Sequence, residues 1–218
     1  MSTIEIKTKA GSFFPGKVLC VGRNYEEHAK ELGNEVPDFP LFFMKPSSNL
    51  AWSGAEIEVP PYSDDMNYET ELVLLIGKDI KNVSPAEAEE AIIGYATGLD
   101  MTLRDQQNIL KGKGHPWEKA KCFDNAAIVS EFILKEDLDL SLDEKIVLHV
   151  NGELKQNAPL NLMIFKPAEI VSEISKMMTI EKGDLVFTGT PAGVGRVTSG
   201  AVLEGYVEGV PTVKATVK

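Results

Sequence analysis

The 218 residues are 43% hydrophobic and 25% charged, the balance of a globular chain long enough to bury a core. Asp and Glu outnumber Lys and Arg by 33 to 22, and the formal net charge of −11 argues against a nucleic-acid backbone or an anionic membrane as partner. The two cysteines, Cys20 and Cys122, have no metal-ligating neighbours and point to a reducing compartment without a disulfide framework. The opening MSTIEIKTKAGSFF lacks an apolar core of signal-peptide length, and no segment approaches the roughly 20 apolar residues that span a bilayer. A cytoplasmic location is the expectation.

In chain order, KVLCV at 17–21 reads as a first strand. NYEEHAKEL at 24–32 reads as a short helix, with Asn24 as its cap and Glu27 at the matching capping-box position. On that helix His28 and Glu31 are spaced i and i+3, so the carboxylate can orient the imidazole as a general base needs. PLFFMK is a strand closed by Lys45, an unusual place for what is ordinarily a solvated charge. NYETELVLLIG at 67–77 follows, with Glu69 and Glu71 at the mouth of an apolar strand. Residues i and i+2 of a strand share a face, so these two carboxylates would repel unless a cation or solvent separates them.

SPAEAEEAI carries Ser84, Pro85 and Glu87, a capping box with proline at the first helical position. GYATGLD ends a small-residue apolar run on Asp100, and TLRDQQNILKG reads as a helix starting at Thr102 that Asp105 helps to cap. KEDLDLSLDEK (135–145) is the most polar stretch and is expected to be a solvated loop. Asn-Gly inside VNGEL (150–154) marks a hairpin, and KPAEIVSEISKMM has apolar residues at helical spacing. TGTPAGVG (188–195) is glycine-rich but lacks the Lys-Ser/Thr ending of a phosphate loop. Its amides and hydroxyls suit a tight turn or a carboxylate. His115 and His149 have weaker functional cases, one in a loop and one on an alternating strand. Many strands with dispersed helices and no regular βαβ alternation predict a β-rich α+β fold in one domain, residues 1–218.

Glu69, Glu71 and Asp100 contain no His or Cys. As a set they would suit a hard cation such as Mg²⁺, with Mn²⁺ as the other candidate, unless Glu69 faces solvent and Asp100 only caps a helix. VGRNYEEHAKE, FFMKP, NYETELVLLIG, GLDMTLRDQQ, GHPWEKAKCFD and FTGTPAGVG, in this order from about residue 16 to the C-terminus, resemble the fumarylacetoacetate hydrolase family, and most of all its small acylpyruvase and oxaloacetate decarboxylase branch.

The resemblance implies a layered mixed β-sheet roll with a few short helices, generally a homodimer. It implies Glu69, Glu71 and Asp100 as Mg²⁺ ligands, and His28 and Glu31 as a catalytic dyad on a segment that closes over substrate. Arg104, Gln107, Lys121 and Thr190 match substrate-binding positions, and Lys45 lines the metal site. Asn67 and Tyr68 stand where close relatives often carry His-His, with consequences for substrate fit rather than for the ligand set. The implied chemistry is cleavage of a carbon–carbon bond in a 2-oxo acid through a pyruvate enolate, whose charge Lys121 or Arg104 with the metal would stabilise. Acylpyruvate hydrolysis and oxaloacetate decarboxylation both fit. The alternatives are an oxaloacetate keto–enol tautomerase, an isomerase of aromatic-acid catabolism, or a binding module without turnover.

Overall fold

Apolar runs without alternation become strands buried on both faces. In the computed structural model, which describes residues 4–218, Thr70–Ile76 is buried at every position and forms the middle of an eight-stranded mixed sheet. Its neighbours are Ile92–Asp100 and Leu185–Phe187, both antiparallel to it. On one side the sheet continues through Lys17–Gly22 to the edge strand Leu41–Pro46. On the other it runs through Ala127–Val129 to Leu50–Trp52. Two of these pairings are parallel, Leu185–Phe187 with Lys17–Gly22 and Ala127–Val129 with Leu50–Trp52.

A second sheet of five strands is ordered Glu153–Pro159, Lys145–Val150, Val202–Val207, Val213–Val217, Ala55–Ile57. It packs face to face on the first, where Leu148, Leu203 and Val213 meet Leu99 and Ile128. The expected hairpin is present. Asn151 and Gly152 both take positive φ, 52° and 79°, as the two-residue turn between right-twisted strands requires. The β-rich layered architecture with a few short helices follows the sequence expectation.

The helices are α1 (Glu26–Glu31), α2 (Pro85–Ala91), α3 (Arg104–Lys113), α4 (Glu118–Lys121) and α5 (Pro167–Met177). Helix α2 has the predicted capping box, with the Ser84 hydroxyl accepting from Glu87 N–H and the Glu87 carboxylate accepting from Ser84 N–H. Helices α2 and α5 cover one end of the large sheet, burying Ala88, Ala91, Ile170, Val171 and Ile174. No helix among the described residues is long and apolar enough to cross a membrane.

Three local expectations are corrected. Asn24 does not cap α1, which starts after Tyr25 without a side-chain cap. Its amide donates to the carbonyls of Thr188 at 2.8 Å and Phe165 at 3.0 Å, and its oxygen accepts from Phe165 N–H at 2.8 Å. Three backbone groups, the Thr188 carbonyl buried and the two of Phe165 partly so, outcompete one helix terminus. Helix α3 begins at Arg104 rather than Thr102, because Thr102 and Leu103 pair as strand with Asn67 and Met66. Asp105 holds Ser63 Oγ at 2.6 Å and Asp64 N–H at 3.2 Å as well as the helix amide of Gln106. The polar stretch at 135–145 is no free loop, since Leu138, Leu140 and Leu142 pack on the core beneath it.

Candidate metal and substrate site

Register brings the three acids together. Glu69 lies at the break between strands Met66–Tyr68 and Thr70–Ile76, and Asp100 ends the strand alongside. Thr70 pairs with Leu99 and Glu71 with Gly98, while Asp100 N–H donates to Glu69 C=O at 2.8 Å. Asp100 is therefore directly opposite Glu69, and Glu71 is on the same face two residues on. All three are buried, and one carboxylate oxygen from each lies within 4.8 Å of the others. The solvated alternative for Glu69 is not observed.

Three buried cations face this cluster. Arg104, at the first position of α3, holds Glu69 through Nη2 and Gln107 Oε1 through Nη1 at 2.6 Å. Lys121, at the end of α4, donates to Glu69 Oε2 at 2.8 Å, Asp100 Oδ2 at 2.7 Å and Thr102 Oγ1 at 2.6 Å. Lys45 is fully buried and spends its three N–H donors on the carbonyls of Met101, Lys121 and Ala126. It touches Asp100 Oδ1 at 2.8 Å by charge alone. Neither lysine is a solvated surface charge.

The electrostatics are uneven across the cluster. Burial alone would raise Glu69, but Lys121, Arg104 and His28 hold it well below the usual carboxylate range. Burial, then Asp100 and Glu69, push Glu71 well above that range. Among the described residues Glu71 has no ion-pair partner, and it accepts a hydrogen bond from Gly189 N–H at 2.7 Å. Burial pulls Lys121 down, yet Asp100 and Glu69 outweigh it and keep the ammonium charged. Among the described residues Asp100 Oδ1 accepts no hydrogen bond and meets the Lys45 ammonium by charge. An all-oxygen cluster in which the Glu71 carboxylate has no ion-pair partner among the described residues fits a hard divalent cation, whose charge would offset the repulsion.

His28 and Glu31 approach from α1. His28 is buried, and its Nδ1 lies 3.4 Å from Glu31 Oε2. Burial pushes the imidazole below its ordinary 6.5, outweighing the upward pull of Glu69 and Glu31. With a carboxylate beside Nδ1, the neutral ring carries its proton there and leaves Nε2 as the acceptor. Glu31 also accepts from Gly193 N–H at 3.1 Å, so the TGTPAGVG turn holds the dyad as well as Glu71. Gly189 is required in that turn: φ is +95°, and a Cβ would fall 2.7 Å from Asn24 Cβ.

His28, Glu69, Glu71, Arg104, Gln107, Lys121 and Thr190 line one narrow cleft of about 30 Å³. Asp100 and Lys45 lie beneath it. A cavity of about 730 Å³ beside Glu56, Tyr62 and Asp124 is far larger but gathers no such set of opposed charges, so chemistry rather than size marks the site. Sequence reasoning missed Gln156, whose Nε2 donates to Thr190 Oγ1 at 2.8 Å and whose Oε1 accepts from Thr70 N–H at 3.1 Å. It sits across the hairpin, where no local pattern reveals it. It also missed Arg23 and Lys111 on the cleft wall. His115 stays in an exposed loop, and His149 lies on the strand Lys145–Val150, outside the cleft.

The profile of the fumarylacetoacetate (FAA) hydrolase C-terminal family matches residues 17–218. The chain belongs to that family. Among family relatives, a mitochondrial oxaloacetate decarboxylase of Dictyostelium discoideum is 42% identical over 197 residues, 90% of each chain. The mitochondrial oxaloacetate tautomerase FAHD1 of Bos taurus is 41% identical over 201 residues, 92% of this chain and 91% of that one. Among solved family structures, a fumarylpyruvate hydrolase of Pseudomonas aeruginosa, in complex with Mn²⁺ and pyruvate, superposes with a TM-score of 0.94 at 35% identity. That match covers 100% of this chain and 96% of the other. A 5-carboxymethyl-2-hydroxymuconate delta-isomerase of Mycobacterium smegmatis is also similar, with TM-score 0.83, 35% identity and coverage of 94% and 79%.

Proposed function

We propose that the chain is a divalent-metal-dependent enzyme that cleaves a carbon–carbon bond in a 2-oxo acid through a pyruvate enolate. The reaction is acylpyruvate hydrolysis, oxaloacetate decarboxylation or both. The observation that carries this reading is the buried Glu69–Glu71–Asp100 cluster, opposed by Lys45, Lys121 and Arg104, with a neutral histidine over the same cleft. The names of the relatives and the Mn²⁺–pyruvate complex of one structural neighbour support it.

Glu69, Glu71 and Asp100 would hold the cation, Mg²⁺ or Mn²⁺, which supplies positive charge beside the oxygens of a 2-oxo acid. The side chains of the chain itself do the rest. Arg104, Gln107 and Thr190 orient the substrate in the cleft. In hydrolysis, His28 Nε2 takes a proton from the water that attacks the distal carbonyl, with Glu31 fixing the ring. The C3–C4 bond then breaks, leaving a carboxylic acid and the enolate, which regains a proton at C3. Lys121, held charged, faces the developing enolate. Decarboxylation reaches the same enolate without water.

A second reading, oxaloacetate tautomerisation, is favoured by the tautomerase relative: it moves a proton between C3 and the C2 oxygen through the enolate of intact oxaloacetate, and no carbon–carbon bond breaks. A coupled pyruvate assay on metal-stripped protein tests both, with acetylpyruvate and oxaloacetate offered with and without Mg²⁺. Pyruvate that appears only with metal supports cleavage. Faster enol decay without pyruvate would replace it with tautomerisation.

The assembly proposed is a homodimer. Its support is the apolar groove of about 480 Å³ beside the edge strand Leu41–Pro46, where Met44 and Met177 are about half exposed. Light scattering at twice the chain mass is the expected result, and a stable monomer would contradict it.

A further inference from the structure

Gln156 is a buried polar side chain that the chemistry above does not use. It reaches its place through an irregularity in the hairpin. From the Asn151-Gly152 turn the register pairs Val150 with Glu153 and His149 with Leu154, then jumps to Leu148 opposite Gln156. Lys155 is thus the extra residue of a β-bulge, and bulges re-aim the side chains beside them. Leu148 points into the core between the two sheets, and its cross-strand partner shares that face. In an unbroken register that partner would be Lys155. The bulge puts Gln156 there instead. The turn at 188–195 rests on the same bulge, where a Cβ on Gly193 would fall 2.2 Å from the Lys155 carbonyl oxygen.

The carboxamide has one orientation available to it. Its Oε1 accepts from Thr70 N–H at 3.1 Å, and one Nε2 hydrogen goes to the Pro191 carbonyl at 2.9 Å. A backbone donor at one end and a backbone acceptor at the other fix which end is which. The second Nε2 hydrogen therefore meets Thr190 Oγ1, 2.8 Å away, and the hydroxyl must accept it. The hydroxyl's own hydrogen has no acceptor among the described residues, and Thr190 lines the cleft with His28, Glu69 and Arg104. We propose that Gln156 is a positioning residue, which commits the Thr190 hydroxyl to donate into the cleft, onto an anionic oxygen of the 2-oxo acid. A threonine hydroxyl left alone both accepts and donates, and its hydrogen rotates to suit any neighbour. Gln156 fills the accepting side in advance. This rests on the reading that the cleft holds a 2-oxo acid.

The test is a double-substitution cycle on Mn²⁺-loaded protein, with calorimetry of oxalate, a planar dianion shaped like the pyruvate enolate. Thr190→Val should weaken oxalate by at least about tenfold, the loss of one hydrogen bond to a charged group. Thr190→Ser, which keeps the hydroxyl, should recover most of that. Gln156→Met should weaken oxalate several-fold, yet add almost nothing in protein already carrying Thr190→Val, because both act through one hydroxyl. Its Mn²⁺ affinity without oxalate should stay within about twofold of wild type. In the cleavage assay KM should rise with kcat nearly unchanged, since the grip is the same in ground and transition states. Undiminished oxalate binding in Thr190→Val or Gln156→Met would overturn the proposal, as would losses that add in the double variant. So would a fall in Mn²⁺ affinity matching the fall for oxalate, which would leave Gln156 a clasp on the strand of Thr70. If Gln156→Met does not fold, Gln156→Asn, one methylene shorter and still polar, enters the same cycle under the same criteria. Wild-type protein that binds oxalate yet releases no pyruvate from any 2-oxo acid would instead overturn the proposed reaction, and the cycle would still judge Gln156.

Discussion

At His28 two environments oppose each other. Burial disfavours the imidazolium, while Glu69 and Glu31 favour it, and burial prevails. The ring is therefore neutral, and able to accept a proton, at any pH above its lowered value. The sign follows directly: kcat/KM for an acylpyruvate should fall as pH drops below the ordinary 6.5, not at or above it. His28→Ala should lower kcat by about 10²- to 10⁴-fold, the usual worth of a positioned general base. A pH–rate profile of wild type and variant checks both. Unchanged cleavage in His28→Ala would leave the ring without its role. Glu31 was legible in sequence as the partner of His28, because i and i+3 meet on a helix. Its second bond, to Gly193 N–H, was not, since 162 residues separate them.

Among the elements, the strands that carry the acids were the most legible and the loops that hold them were the least. ELVLLI reads as a strand because its apolar run is continuous, and the E-x-E alternation sets two carboxylates on one face. That Asp100 stands opposite Glu69 depends on a register no local pattern encodes. Lys45 stood out in sequence by closing an apolar strand and Lys121 by the family resemblance, but only the fold reveals that their ammonium groups are buried against carbonyls and carboxylates. Asn24 shows how tertiary bonding overrides a local rule. As an apparent helix cap its loss would cost about 1 kcal/mol. As a buried clasp on Phe165 and Thr188 it should cost more, about 2–4 kcal/mol, because Asn24→Ala strands three backbone groups. Urea unfolding measures the difference, and a loss under about 1 kcal/mol would mean the clasp is not holding.

For the whole molecule, two packed sheets supply a rigid floor, and short helices deliver charge to its rim. Glu69, Glu71 and Asp100 come from the floor, Arg104, Lys121 and His28 from α3, α4 and α1. That division holds the acids close together: Arg104, Lys121 and Lys45 meet the charge of Glu69 and Asp100, and Glu71 is the carboxylate for which a bound cation would be the partner. Titration of metal-stripped protein with Mn²⁺, read by the free-ion resonance signal while acetylpyruvate cleavage is followed, tests this most directly. One ion per chain is expected, with activity rising along the same curve and Glu71→Gln weakening both by about tenfold or more. Full cleavage without metal, or undiminished Mn²⁺ binding in Glu71→Gln, would contradict the assignment of the cluster.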